Sequence, residues 1–205
     1  MEKKLLENRI NSHAWLTKHE QLAIFEFSPE EVRELLMKYL SYRYLCEKAE
    51  LKIFDLPTNI ARKILLEYVE KYYLSDAAEV ALFNLPPEIA GEILMAYIKE
   101  NQYNLCYEAE LKIFTLPPEI AKKVLMEYIK SRSLYDEAEE KIFDLPPAIA
   151  KEIALEYIKG KRIFSDEAEM KLLDLPHEDA KEILQNYPEE LCQEAELKAI
   201  SLRLL

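Results

Sequence analysis

The chain has 205 residues, half of them hydrophobic, and carries a formal charge of −12 from 27 basic and 39 acidic side chains. That balance disfavours an electrostatic grip on nucleic acid or anionic lipid, and with only two glycines, Gly91 and Gly160, there is no phosphate-cradling loop or dinucleotide fingerprint. No apolar run approaches the ~18 residues of a membrane span, and the opening MEKKLLENRINS is charged where a secretory leader would be apolar, so the expectation is a cytoplasmic protein that works away from the membrane.

Segment 1–12 reads as a single helix. Its Lys3, Lys4, Leu5, Leu6 and Ile10 match Lys122, Lys123, Val124, Leu125 and Ile129 further on, with Arg9 where the later copies have tyrosine. From 13 to 190 the chain repeats a two-helix unit six times. The residue before each break is Phe27, Leu56, Leu85, Leu116, Leu145 and Leu175, so the copies are 29, 29, 31, 29 and 30 residues apart.

In the copy from Leu105 to Ser131, Leu105, Ala109 and Ile113 recur every four residues, and Phe114 and Leu116 widen the apolar side. This predicts a helix buried on one face, with a small alanine that lets its neighbour approach. Pro117 ends it, because the residue before a proline is pushed out of the helical region. A second proline at 87, 118 or 147 suits the first turn of the next helix, where a missing N–H is harmless. Ser28-Pro29-Glu30-Glu31 makes the same start with a serine cap and a glutamate three residues on.

The second helix, from Glu119 to Lys130, sets Ile120, Val124 and Tyr128 on one line and Ala121, Leu125 and Ile129 beside it. So wide a stripe calls for partners on two sides, within the copy and in the next. Short loops such as 131–133 make consecutive helices antiparallel. Segment 191–205 restarts the first helix and then departs from the pattern, as an end cap does. The expected fold is all-α: one domain, 1–205, an α-solenoid of six to seven helix-turn-helix repeats of about thirty residues with half-repeat caps.

In architecture the array resembles the tetratricopeptide and HEAT type of helical solenoid over essentially the whole chain. The period is nearer thirty than the ~34 or ~40–47 of those classes, and neither W-x-x-L-G-x-x-Y nor T-P-L-H occurs. The resemblance therefore implies a shape and carries over no functional residue.

Five columns recur through the copies. Glutamate follows alanine in the first helices at Glu50, Glu79, Glu110, Glu139, Glu169 and Glu196. A whole hairpin separates these carboxylates, too far for them to share an ion whose ligands must converge within ~2.0–2.6 Å. Hydrogen bonding to a neighbouring helix start or to a repeat tyrosine is the expected role. The tyrosines, Tyr39, Tyr68, Tyr97, Tyr128, Tyr157 and Tyr187, fall on the apolar line, which predicts rings in the core and hydroxyls turned out. Arg33, Arg62, Lys122, Lys151 and Lys181 form a basic row interrupted by Gly91; four residues on lie Met37, Leu66, Met95, Met126, Leu155 and Gln185. Together the two rows describe a flexible apolar floor with a basic margin, suited to an acidic or amphipathic segment of another protein. The same residues also fit an edge of the core covered by long cationic stems.

The last column, in the loops after the second helices, comprises Tyr42, Arg43, Tyr44, Tyr72, Tyr73, Tyr103, Arg132 and Arg162, residue types that serve as interface anchors and equally seal a core edge. Cys46, Cys106 and Cys192 occupy one position in three copies, too far apart for the ~7 Å limit of a disulfide, and are expected to be free thiols. His13, His19 and His177 form no H-E-x-x-H, and there is no C-x-x-C.

The sequence thus points to a non-enzymatic scaffold for a protein or peptide partner, using Arg33, Met37, Arg62, Leu66, Met95, Lys122, Met126, Lys151 and Leu155, with no metal or cofactor. Two other functions fit the same chain: an RNA-binding helical repeat, and an acidic mimic of nucleic acid that inhibits by occupying a basic cleft.

Overall fold

The structure, a computed structural model, describes residues 3–100 and 104–204. Among them are fourteen α-helices, short 3-10 turns at Ile24–Glu26 and Leu82–Asn84, and no strand. The chain divides into two compact units, Met1–Tyr103 and Asn104–Leu205.

The first unit contains α1 (Lys3–Asn11), α2 (Lys18–Ala23), α3 (Pro29–Leu40), α4 (Glu47–Ile53), α5 (Thr58–Val69), α6 (Asp76–Ala81) and α7 (Pro87–Glu100). Longer helices pack in succession, α1 on α3, α3 on α5 and α5 on α7, while the short ones do the same, α2 on α4 and α4 on α6. The second unit contains α8 (Tyr107–Ile113), α9 (Pro118–Tyr128), α10 (Asp136–Ile142), α11 (Pro147–Lys159), α12 (Asp166–Leu172), α13 (His177–Gln185) and α14 (Gln193–Ser201). Here α9, α11 and α13 pack in one succession and α8, α10, α12 and α14 in the other.

Local chemistry sets each boundary. At α3 the Glu31 carboxylate accepts from the Ser28 N–H at 3.1 Å and the Ser28 hydroxyl at 2.6 Å, closing the turn that the sequence predicts. Thr17 and Glu20 close α2 reciprocally. From the second break on, the first proline stands just outside the next helix: the Pro117 carbonyl accepts from Ile120 at 2.8 Å and Ala121 at 3.0 Å, and Pro146 and Pro176 do likewise. Pro118 and Pro147 then occupy the first turn.

The alanines Ala49, Ala78, Ala109, Ala138 and Ala168 are fully buried, as close helix approach requires. Val124, Leu125 and Ile129 are buried with them, but Ile120 is half-buried, so the apolar stripe of α9 is narrower at its start than its sequence implies. No helix among the described residues is long and apolar enough to cross a membrane.

Candidate partner-binding surface

The sequence columns resolve into two sets of ties, one buried and one at the surface. In the buried set, each tyrosine hydroxyl donates to the glutamate eighteen residues earlier: Tyr68 to Glu50 at 2.7 Å, Tyr97 to Glu79 at 2.9 Å, Tyr128 to Glu110 at 2.8 Å, and Tyr187 to Glu169 at 2.7 Å, with Tyr157 bonded to Glu139 in the same way. The other carboxylate oxygen accepts the backbone N–H that heads the next short helix: Ser75 on Glu50 at 3.0 Å, Tyr135 on Glu110 at 2.6 Å, Ser165 on Glu139 at 2.7 Å, and Cys192 on Glu169 at 2.7 Å. The hydroxyl itself accepts a backbone N–H from twenty-three residues earlier, as from Leu105 to Tyr128 at 3.2 Å. One glutamate thus joins the two helices of its copy and fixes the start of the next.

This corrects one expectation. The tyrosine hydroxyls turn inward, because the buried carboxylate offers the acceptor that water would otherwise supply. Burial, followed by the adjoining carboxylates, pushes the ionisation of Tyr68, Tyr97 and Tyr128 far above the usual phenol range. Burial also raises Glu110 and Glu139, opposed by the hydrogen bonds they accept.

The first copy uses a residue the sequence columns do not reveal. Gln21 stands where the later copies have glutamate. Its amide nitrogen donates to the Tyr39 hydroxyl at 3.3 Å, and its oxygen accepts the Cys46 N–H at 2.7 Å. Alignment on the break would have found it, but the missing alanine–glutamate pair hides it. At the other end Glu196 is exposed and takes no part in such a tie.

The surface set uses the basic row. Arg62 pairs with Glu92, Lys122 with Glu152 at 2.5 Å, and Lys151 with Asp179 at 2.9 Å and Glu182 at 2.5 Å. Each pair bridges successive long helices, as does Lys3 with Glu31 at 2.7 Å, whereas Arg33 turns to Glu30 on its own helix at 3.2 Å. Donating hydrogen bonds to Glu92 raises Arg62, and accepting them from Lys3 and then Ser28 lowers Glu31 to about 2.

All nine candidate residues are half-buried: Arg33 and Arg62, Lys122 and Lys151, and the apolar Met37, Leu66, Met95, Met126 and Leu155. In each unit, then, the apolar row shows one edge to solvent, and the cations beside it, Arg33 apart, are held by carboxylates of the next long helix. Lys181 is exposed at the end of the row, and Gly91, which interrupts it, is buried.

The loop residues divide by role. Tyr42 donates to the Ile10 carbonyl, and Tyr72 to the Leu40 carbonyl at 3.1 Å, each satisfying the end of the preceding long helix. Arg132 and Arg162 lie over Tyr128 and Tyr157, both at 5.3 Å from the ring centre. Tyr44 and Tyr73 are exposed. Tyr103 lies outside the described residues.

Cys46, Cys106 and Cys192 are half-buried thiols outside any disulfide, at the heads of α4, α8 and α14. Within the second unit, a group of possible metal donors escapes the sequence columns because it spans two copies: donor atoms of Asp166, Glu169 and Cys192 lie within 4.8 Å of one another. Asp166 and Cys192 border a cleft of about 410 Å³. The Glu169 oxygens already accept from Tyr187 and from the Cys192 N–H, so the cluster is accounted for by the same tie that recurs in the other copies. No family model, curated protein or solved structure matches the chain.

Proposed function

We propose that the chain is an α-solenoid scaffold that binds a segment of another protein along its long helices, without catalysing a reaction. The observation that carries this reading is the half-buried apolar row Met37, Leu66, Met95, Met126 and Leu155, one residue per copy at one helical position. Methionine and leucine at a half-open edge adapt to a partner's side chains. Recognition would come from many modest contacts on a pre-set frame, so little ordering would accompany binding.

The ion pairs sharpen the test. Simple charge reversal of Arg62, Lys122 or Lys151 would place like charges side by side and confuse loss of binding with loss of packing. A random-peptide display selection on the wild-type chain, repeated on a Met37→Gln, Met95→Gln, Met126→Gln triple variant of unchanged helicity, separates the two effects. The expected result is peptides that bind the wild type and lose at least about tenfold in affinity on the variant, the scale of an interface anchor. Peptides held equally by both would remove this row from the function.

A further inference from the structure

The last helix presents the surface of an internal copy. Glu196, Leu197 and Ile200 of α14 stand in the register of Glu169, Met170 and Leu173 in α12. In each earlier copy with the alanine–glutamate pair that glutamate is buried, and the residues one and four places on are half-buried or buried. In α14 all three are exposed, Leu197 at 63% and Ile200 at 56%. Inside the array a short helix is covered from both sides, as α10 is by α8 before it and by α11 and α12 after it. A closing helix turns a polar face outward; α14, packed on α12, turns out leucine and isoleucine.

The first helix carries the complementary surface. Leu5 of α1 stands in the register of Leu35, Ile64, Ile93, Val124, Ile153 and Ile183, none more than 2% exposed, yet it is itself 53% exposed. Four residues on, the internal copies place the tyrosine that reaches the glutamate of its own short helix, so this line faces that helix. In α1 the tyrosine's place is held by Arg9. The face left open on α14 is therefore the one that a long helix and then a short helix cover elsewhere, and α1 and α2 are a long helix followed by a short one.

The polar groups select the same occupant. An internal glutamate takes one donor from the long helix of its copy and one from the head of the next short helix, as Glu110 does from Tyr128 and Tyr135. In α1 and α2 the corresponding donors are the Arg9 guanidinium and the Thr17 N–H, which Glu20 holds at 2.5 Å and 2.8 Å. Arg9 spends one N–H on Glu20 and another on the Trp15 carbonyl at 2.6 Å, and a guanidinium has further N–H groups for a second carboxylate. Beside Glu196 a pocket of about 230 Å³ is walled by Leu184, Tyr187 and Leu191 and carries Glu189 and Glu190. Apolar walls suit the aliphatic stem of an arginine, and the carboxylates suit its charged end. The charge of α1 agrees, with Lys3, Lys4 and Arg9 against Glu7 alone. Two last helices placed face to face would instead bring Glu189, Glu190 and Glu196 against their own copies, a like-charge contact that disfavours a symmetric pair.

We propose that the chain assembles head to tail, α1 and α2 of one copy continuing the helix rows past α13 and α14 of another, with the incoming Arg9 in the tyrosine seat beside Glu196. The contact is heterologous, so each added copy brings a new face for the next. It goes beyond the scaffold reading and uses none of the Met37, Leu66, Met95, Met126 and Leu155 row.

The experiment follows sedimentation velocity of the full chain from micromolar to millimolar concentration. The expected result is a sedimentation coefficient that climbs with concentration. Lys4→Glu with Leu5→Glu blocks the first helix, and Leu197→Glu with Ile200→Glu blocks the last. Each double variant should stay monomeric alone, and an equal mixture of the two should form a one-to-one dimer and nothing larger, through the one intact face of each. The first double variant, added to wild type, should shorten its oligomers by ending them. Glu196→Arg, which sets a cation against Arg9, should weaken association at least about tenfold. Circular dichroism verifies folding; all five substituted positions are exposed, so the core is left intact. The Met37→Gln, Met95→Gln, Met126→Gln variant should associate as the wild type does, which keeps failure of the assembly separate from failure of the long-helix row. A chain that remains monomeric at millimolar concentration, a blocked variant that still self-associates, or a mixture that yields no dimer would each overturn the proposal.

Discussion

Glu110 is the clearest place to test whether the buried ties hold successive copies together. It is fully buried and accepts from the Tyr128 hydroxyl at 2.8 Å and the Tyr135 N–H at 2.6 Å. Glu110→Ala leaves both donors without an acceptor, and each buried unsatisfied group costs about 1–3 kcal/mol, so a loss of roughly 3–5 kcal/mol is expected once the cavity is included. Tyr128→Phe deprives Glu110 of one donor and leaves the Leu105 N–H, 3.2 Å from the hydroxyl, without its acceptor, a change of about 1–3 kcal/mol. Glu110→Gln is different. Gln21 already performs this role against Tyr39 and Cys46 in the first copy, with the amide donating to the tyrosine oxygen instead of the tyrosine donating to a carboxylate. The expected loss is under about 1 kcal/mol, the worth of one net hydrogen bond. Urea unfolding followed by circular dichroism measures all three, with an unchanged slope certifying that the change is one of stability. A glutamine variant as unstable as the alanine variant would refute the reasoning, because it would mean that the charge matters and the hydrogen-bond pattern does not.

Further outcomes follow from the same contacts. Glu110 and Glu139 hold their protons in the folded protein at pH values where the unfolded chain, with glutamates near ~4.3, has released them. Their contribution to stability should therefore fall as pH rises from that value through their folded pKa, and Glu110→Gln with Glu139→Gln should flatten this part of an unfolding-versus-pH curve. Glu31, lowered to about 2 by Lys3 and Ser28, acts in the opposite sense: its contribution is present above the unfolded pKa and is lost as pH falls through about 2, a loss that Glu31→Gln should remove. Ala109→Leu should destabilise by about 1–3 kcal/mol, visible in a thermal melt, since the fully buried alanine leaves no room for added methylenes. Exchanging Arg62 and Glu92 by Arg62→Glu with Glu92→Arg should leave the melting temperature within a degree or two, whereas Arg62→Glu alone should lower it; equal melting of the two would show that this exposed pair does not couple α5 to α7.

The helices and their limits were legible in the sequence because they depend on near neighbours. Proline at the break, alanine at the crossing and the Ser28–Glu31 pair each act within a few residues, so a thirty-residue pattern read along the chain places them. Periodicity likewise put glutamate and tyrosine into columns and gave hydrogen bonding as the glutamates' role. It could not say that one carboxylate reaches both Tyr128 in its own copy and Tyr135 at the start of the next, since that reach is set by how adjacent helices cross. Gln21 was missed for a different reason: it keeps the register of the later glutamates against the break but lacks the alanine–glutamate pair that marks them.

The candidate surface shows the same division. The sequence placed Arg62 beside Leu66 and Lys122 beside Met126 on one helical face, a consequence of 3.6 residues per turn. Only the tertiary structure decided that Arg62 and Lys122 spend their charge on Glu92 and Glu152 of the next helix, leaving the methionines and leucines as the open edge. Local chemistry fixes what each segment becomes; packing between segments fixes which side chains are consumed in holding them together and which remain for a partner.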